Sequence, residues 1–186
     1  QNIQSDILFV SHLNNSQQIL RDSDSYFGDL PNQLLQHGIS SSIALINHIK
    51  MNNQRTSRVW KVSKVNRFIL NSSLDFLSEI KLHFSQRKAK KQLKFILKDL
   101  RINKALVKDI LHHHLSTDTF NTHRIAMQVA DLVRKTGAKF IVTTYEGDAW
   151  ESLVYFYASE ANPNIKCYGY QHAAVFKHQH AIKRPL

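Results

Sequence analysis

A chain of 186 residues with 42% apolar content is long enough to bury a single core without disulfide or metal staples. Its one cysteine, Cys167, excludes an internal disulfide framework and suits a reducing, cytoplasmic setting, and no apolar run reaches the roughly 18–20 residues that span a bilayer. The net charge of +11 is concentrated: Lys81 to Lys108 holds ten Lys or Arg residues and one acid, Asp99, a surface that invites nucleic acid, anionic lipid or a phosphorylated substrate.

The opening QNIQSDILFV is not expected to be a secretory signal, because its apolar run is short and no basic region precedes it. Asp6 to Leu13 reads as a first strand, with Ile7 to Val10 continuously apolar and Ser11-His12 at its tip. Asn14 to Ser25 is polar and reads as a loop. Tyr26 to His37 reads as a helix, with Asp29 as N-cap, Pro31 in the first turn and Gly38 just past the end. Ser42 to Asn47 is a second buried strand, so a right-handed crossover and a parallel sheet are the default.

Lys50 to Asn66 is polar and basic without periodicity, the pattern of a surface loop. Ser72 opens a capping-box pattern, Ser-Ser-Leu-Asp, ahead of helical spacing from Leu74 to about Leu115 that weakens near Ile102-Asn103. Within it Leu93, Ile96, Leu97 and Leu100 form an apolar stripe, opposite Lys90, Lys91, Lys94, Lys98 and Arg101. Ser116 to Asp118 caps a further helix, Thr119 to Thr136, closed by Gly137.

Phe140 to Val142 is a third buried strand, and Trp150, Leu153, Val154 and Tyr157 carry the spacing of a helix that ends at Asn162-Pro163-Asn164. Ile165 to Tyr170 resumes an extended pattern, with Tyr168-Gly169-Tyr170 read as buried. The carboxyl ends of parallel strands open on one edge, where ligands of open α/β sheets bind. That edge is expected to gather Tyr145, Glu146 and Gly147 from one strand, Gln171 and His172 from another, and His12 from the first.

Glu146 reads as a general base or an acceptor for sugar hydroxyls, against the plainer reading of a solvated turn residue. His172 reads as a proton carrier, or as a holder of phosphate or hydroxyl, against a histidine bonded to a nearby loop. Asp148 and Glu151 stand at capping-box spacing, which accounts for both without catalysis, and Thr143 and Thr144 read as ordinary strand residues. No metal is expected: His112, His113 and His114 are consecutive, so on a helix they point about 100° apart. With five glycines and neither GxGxxG nor GxxxxGK[ST], hydride-transfer and P-loop chemistry are not expected. The basic segment is open to three readings: a solvated face, a membrane or lipid-phosphate contact through Lys90, Lys91, Lys94, Lys98 and Arg101, and, ranked below these, nucleic acid. No exposed aromatic platform is evident beside the charge.

DILFVSHL, YFGDLPNQLLQHGI, TTYEGDAWE and YGYQHAAVF resemble bacterial surface-carbohydrate biosynthesis proteins of the capsule and O-antigen type, which are related to two-domain GT-B glycosyltransferases. The resemblance implies an α/β, Rossmann-like three-layer domain with a parallel sheet and a long basic helical segment in its middle. It implies one acceptor-side domain over residues 1–186, with a donor domain following Leu186; the missing initiator Met and the end at Lys183-Arg184-Pro185-Leu186 fit a fragment. It further implies sugar transfer from a nucleotide-activated donor to a surface-polysaccharide or lipid-linked glycan. Glu146 and His172 would be catalytic, and His12, Tyr145, Gly147 and Gln171 substrate-binding. No cofactor is expected on this domain, the nucleotide sugar belonging to the absent one, and the basic flank would meet an anionic membrane at its inner face. The alternative is a non-catalytic basic module that binds nucleic acid or glycan.

Overall fold

The computed structural model describes residues 3–49, 64–99 and 103–171. These fall into two compact units, divided after Ser72 and after Arg124. One is a sheet unit drawn from both ends of the chain; the other, Ser73–Arg124, is helical and lies between them in sequence.

Among the described residues the sheet unit has five strands: β1 (Ile7–Leu13), β2 (Ser41–Asn47), β3 (Asn66–Ile69), β4 (Phe140–Thr144) and β5 (Lys166–Tyr170). All pair in parallel, in the order β3-β2-β1-β4-β5, with helices on both faces. This is the α/β, Rossmann-like three-layer fold. β1 is central, running from Ile7↔Ser41 to Leu13↔Asn47 along β2 and from Ile7↔Phe140 to Val10↔Thr143 along β4. The chain moves outward through β2 and β3 on one side and through β4 and β5 on the other. The reversal between β1 and β4 is the switch point of such a sheet.

The two-residue period of the strands divides the core in two. Leu8, Val10, Ala44, Ile46 and Ile141 pack with Ala126, Val129 and Val133 of α4 (Thr117–Thr136), and with Val154 and Ala158 of α5 (Ala149–Ala161). Phe9, Ile43 and Leu45 pack on the other face with Ile19, Phe27 and Leu34, the last from α1 (Leu30–Gln36). Each fully buried Val, Leu, Ile or Phe among them contributes about 1.5–3 kcal/mol relative to exposure. Gly38 leaves α1 at φ +77°, and Gly137 leaves α4 at φ +68°, as expected of C-terminal glycines.

The helical unit holds α2 (Phe76–Asp99), α3 (Lys104–His113) and the first turns of α4. Leu82, Gln86, Leu97 and Phe120 are buried among its described residues. Glu79 receives Arg124 through both carboxylate oxygens, at 2.7 and 3.0 Å, and also accepts the Leu74 amide. No described helix is long and apolar enough to cross a membrane.

Several local expectations change. The stretch read as a loop at Asn14 to Ser25 contains a 3-10 helix, Ser16–Leu20, capped by Asn15 and locked by Gln18. β3 went unread because it is a four-residue strand whose apolar half, Phe68 and Ile69, follows directly on a polar, basic stretch; residues 50–63 of the Lys50 to Asn66 loop lie outside the described residues. The cap of α2 is Asp75, whose carboxylate accepts the Ser78 amide, and not Ser72. β5 is not buried: as the outermost strand of the described sheet it leaves Tyr168 and Tyr170 exposed. Ile96, assigned to the apolar stripe, is exposed, whereas Leu97 is buried and Leu93 half-buried. Leu100 and Ile102 lie outside the described residues.

Asp6 ties three strands together at their amino ends. Its carboxylate accepts the Ser40 hydroxyl at 2.7 Å and the Lys139 ammonium at 2.9 Å, and its carbonyl accepts the amides of Lys139 and Phe140. The Lys139 ammonium, followed by Ser40, holds the Asp6 pKa down from 3.8 to about 2. A depressed carboxylate stabilises the fold above its unfolded pKa, and loses that contribution as pH falls through the folded value. Asp6→Asn should therefore cost about 1 kcal/mol near neutral pH, an amount limited by solvent exposure of the pair. In denaturant titrations the gap between the two proteins should persist above about pH 4 and close towards about pH 2. A gap independent of pH would contradict this role.

Candidate functional site

The carboxyl edge at the switch point is organised around His12, the next-to-last residue of β1. Its Nδ1 lies 2.9 Å from Nε2 of His48, just past β2, and its Nε2 lies 3.0 Å from the Thr144 hydroxyl at the end of β4. Trp150 stands edge-on to the ring at 5.4 Å, and Tyr26 is tilted against it at 5.3 Å. Two tautomers satisfy this geometry. In one, the Thr144 hydroxyl donates to Nε2 while Nδ1–H donates to His48; in the other, His48 donates to Nδ1 and Nε2–H donates to Thr144. An imidazole held at both nitrogens can take a proton on one side and release one on the other.

The loop that leaves β4 is shaped by Glu151, in the first turn of α5. Its carboxylate is 1% exposed and accepts three consecutive amides, Glu146 at 2.7 Å, Gly147 at 2.9 Å and Asp148 at 2.9 Å. Burial pushes its pKa up, and the three N–H groups oppose that shift by favouring the ionised form. Gly147 sits at φ +87°, a conformation that side-chain-bearing residues rarely adopt, so it supplies the bend the amides need. The run Glu-Gly-x-x-Trp-Glu thus has a mechanical meaning: Gly147 turns the loop, Trp150 meets His12, and Glu151 holds the backbone between them.

Glu146 lies at the tip of this loop with its side chain exposed and its amide engaged by Glu151. Tyr145 is half-buried; its amide donates to the Tyr170 carbonyl at 3.0 Å, and its ring lies so close over Gly169 that a Cβ there would stand 2.8 Å from it. Gly147 offers a bend, its amide being committed to Glu151. Gln171 is half-buried and follows β5. Strand pairing places Tyr145, Glu146 and Gln171 at the same sheet edge as His12. His172 lies outside the described residues.

Two contributors went unremarked in the sequence. Nothing in the spacing marks His48, because its partner is 36 residues away. Asp24 accepts the Ser11 hydroxyl and the amides of Tyr26 and Phe27, so it brings Tyr26 to the edge; the turn it closes with Gly28 was legible as Ser-Asp-Ser-Tyr-Phe-Gly. Thr143 and Thr144, read as ordinary strand residues, are both buried hydroxyls in use, Thr143 with the Tyr155 phenol at 2.5 Å and Thr144 with His12. Burial raises the Tyr155 pKa to about 12, which keeps the phenol protonated.

In the helical unit Lys90, Lys94 and Lys98 share one groove between α2 and α3, and Lys91 is exposed outside its lining. Arg101 lies outside the described residues. Exposed aromatic side chains do accompany this charge, contrary to expectation: Phe76, Phe84 and Phe95 all project from α2, at 78%, 67% and 70% exposure. The three consecutive histidines diverge. His114 bonds the Gln86 carbonyl at 3.1 Å, His112 lines the groove, and the rings of His112 and His113 are perpendicular.

Glu151→Gln would set an NH2 group against amide donors that now share two oxygens. A loss of about 2–3 kcal/mol is expected, with amide exchange at residues 146–148 at least tenfold faster, whereas Glu146→Gln should leave stability within about 0.5 kcal/mol. Denaturant titration and hydrogen exchange read both.

Compared with family models, with curated proteins and with solved structures, the chain matches none, so the chemistry of this edge is read from its own residues.

Proposed function

We propose that the sheet unit is the acceptor-side half of a glycosyltransferase, transferring sugar from a nucleotide-activated donor held by a second domain to a surface-polysaccharide or lipid-linked glycan. The observation that carries this reading is an imidazole with a hydrogen bond at each nitrogen, set at the switch point of a parallel sheet. Ligands of such sheets bind at that place. Sugar transfer to a hydroxyl needs a proton acceptor and a polar surface to orient the acceptor ring; this edge offers His12 for the first, and Glu146, Tyr145 and Gln171 for the second.

In an inverting transfer the acceptor oxygen bonds to the anomeric carbon as the bond from that carbon to the donor phosphate breaks. The leaving phosphate keeps the bonding pair, and the hydroxyl proton passes to the base. Here the acceptor's proton reaches His12 through the Thr144 hydroxyl, which takes it while giving its own to Nε2, and the Nδ1 proton passes to Nε2 of His48, so charge does not accumulate beside Thr144. Glu146, exposed at the loop tip, accepts hydrogen bonds from the acceptor's other hydroxyls. This departs from the sequence reading, in which Glu146 and His172 were the catalytic residues and His12 a substrate-binding one, because the imidazole is held in place by two partners.

In the complete protein, His12→Ala should lower turnover with a panel of nucleotide sugars by about 100-fold or more, the usual scale for a lost general base. Glu146→Gln should act mainly through KM for the acceptor. Unchanged turnover in both variants would sink the assignment.

A further inference from the structure

The groove between α2 and α3 has a composition that the sheet edge does not explain. It encloses about 630 Å³ and is lined by Lys90, Lys94 and Lys98 from α2, by Lys104, Lys108 and His112 from α3, and by Leu97, Val107 and Leu111. The volume falls within the range of small-molecule sites. The lysines recur every four residues on each helix, so each row runs along one helix face and the two rows line the same groove. Among the described residues none of the five is in an ion pair and no acid lines the groove. Five like charges around one cavity repel each other, and a structure that keeps them together gains from a multivalent anion.

The aliphatic lining decides what kind of anion. Leu97 is buried and Val107 and Leu111 are half-buried, so the groove has an apolar floor between two cationic rims. A free phosphate would leave that floor wet. A nucleic acid would leave it unused too, since the described lining contains no aromatic platform for bases other than the His112 ring. An aliphatic chain ending in phosphate satisfies both parts, with its head among the lysines and its first methylenes on Leu97, Val107 and Leu111. The exposed Phe95 and Leu106 on the same two helices would suit the bilayer surface from which such a molecule comes.

We propose that the α2–α3 groove binds the phosphate head and first methylenes of a single-chain lipid phosphate. If the sheet edge is a glycosyl acceptor site, that molecule is the lipid carrier of the acceptor; the binding itself depends on the helical unit alone.

The test uses the protein with farnesyl phosphate, farnesol, inorganic phosphate and a single-stranded oligonucleotide, followed by calorimetry. Farnesyl phosphate should bind at least tenfold more tightly than farnesol and than inorganic phosphate, and raising salt from 50 to 200 mM should weaken it several-fold. Lys94→Glu with Lys108→Glu, and separately Val107→Asp, should each weaken it tenfold or more with circular dichroism unchanged. Val107 is half-buried, so if that variant loses helicity, Leu111→Gln replaces it. Lys135→Glu and His12→Ala should leave it intact, which separates this site from the sheet edge. Equal affinity for phosphate and farnesyl phosphate, tighter binding of the oligonucleotide with loss in the double lysine variant, or no binding of farnesyl phosphate would each overturn the proposal.

Discussion

The carboxyl edge of the sheet depends on one buried carboxylate. Glu151 gathers three successive amides at the start of α5, and without it the β4–α5 loop would leave three buried or half-buried donors unsatisfied. Its position also fixes what stands beside it. Trp150 precedes it in the same helical turn and meets His12 edge-on, while Glu146, exposed, is held through its amide. The acid that looks most accessible is therefore carried by the acid that is least so. Desolvation raises the Glu151 pKa even as three donors favour its charge, a balance that holds only while water is kept out.

The switch point converts sequence-distant residues into neighbours. His12, His48 and Thr144 come from the ends of three strands that lie side by side in the sheet but not in the chain. Asp24 performs the corresponding task from below, drawing the turn before α1 onto Ser11 and so setting Tyr26 against His12. Each imidazole nitrogen thereby has a partner supplied by a different strand, and rotation of the ring would break both contacts. Pre-organisation of this kind is what a proton-transfer site requires.

What was legible in the sequence was whatever depends on short spacing. The buried strands at Ile7 to Val10 and Phe140 to Val142, the helix ending at Asn162, and the capping relation of Asp148 and Glu151 all follow from neighbours within a turn or two. What escaped depends on pairing across the chain. β3 has too few apolar residues to announce itself and exists because β2 offers it an edge. β5 looks buried by composition, with two tyrosines and a cysteine, yet it is the outermost described strand, and Gly169 is there because the Tyr145 ring occupies the space of a side chain. The basic helix was legible as charge, but its groove was not, since a groove requires the second helix.

The position of β1 has a consequence for how the chain assembles. Its first neighbour, β2, begins 34 residues on, but its second, β4, pairs Ile7 with Phe140 across 133 residues. During synthesis β1, β2 and β3 are complete long before β4 emerges, so the flank of β1 that β4 will occupy stays unpaired in the interval, a template for mispairing. The helical unit occupies that interval, and its helices form quickly from contacts within each helix. Once α2 and α3 have formed, the loop that β4 must close is shorter in effect than its residue count, and closure entropy grows only slowly with what remains. The insertion between β3 and β4 then acts on the order of folding as well as on the surface the finished protein displays.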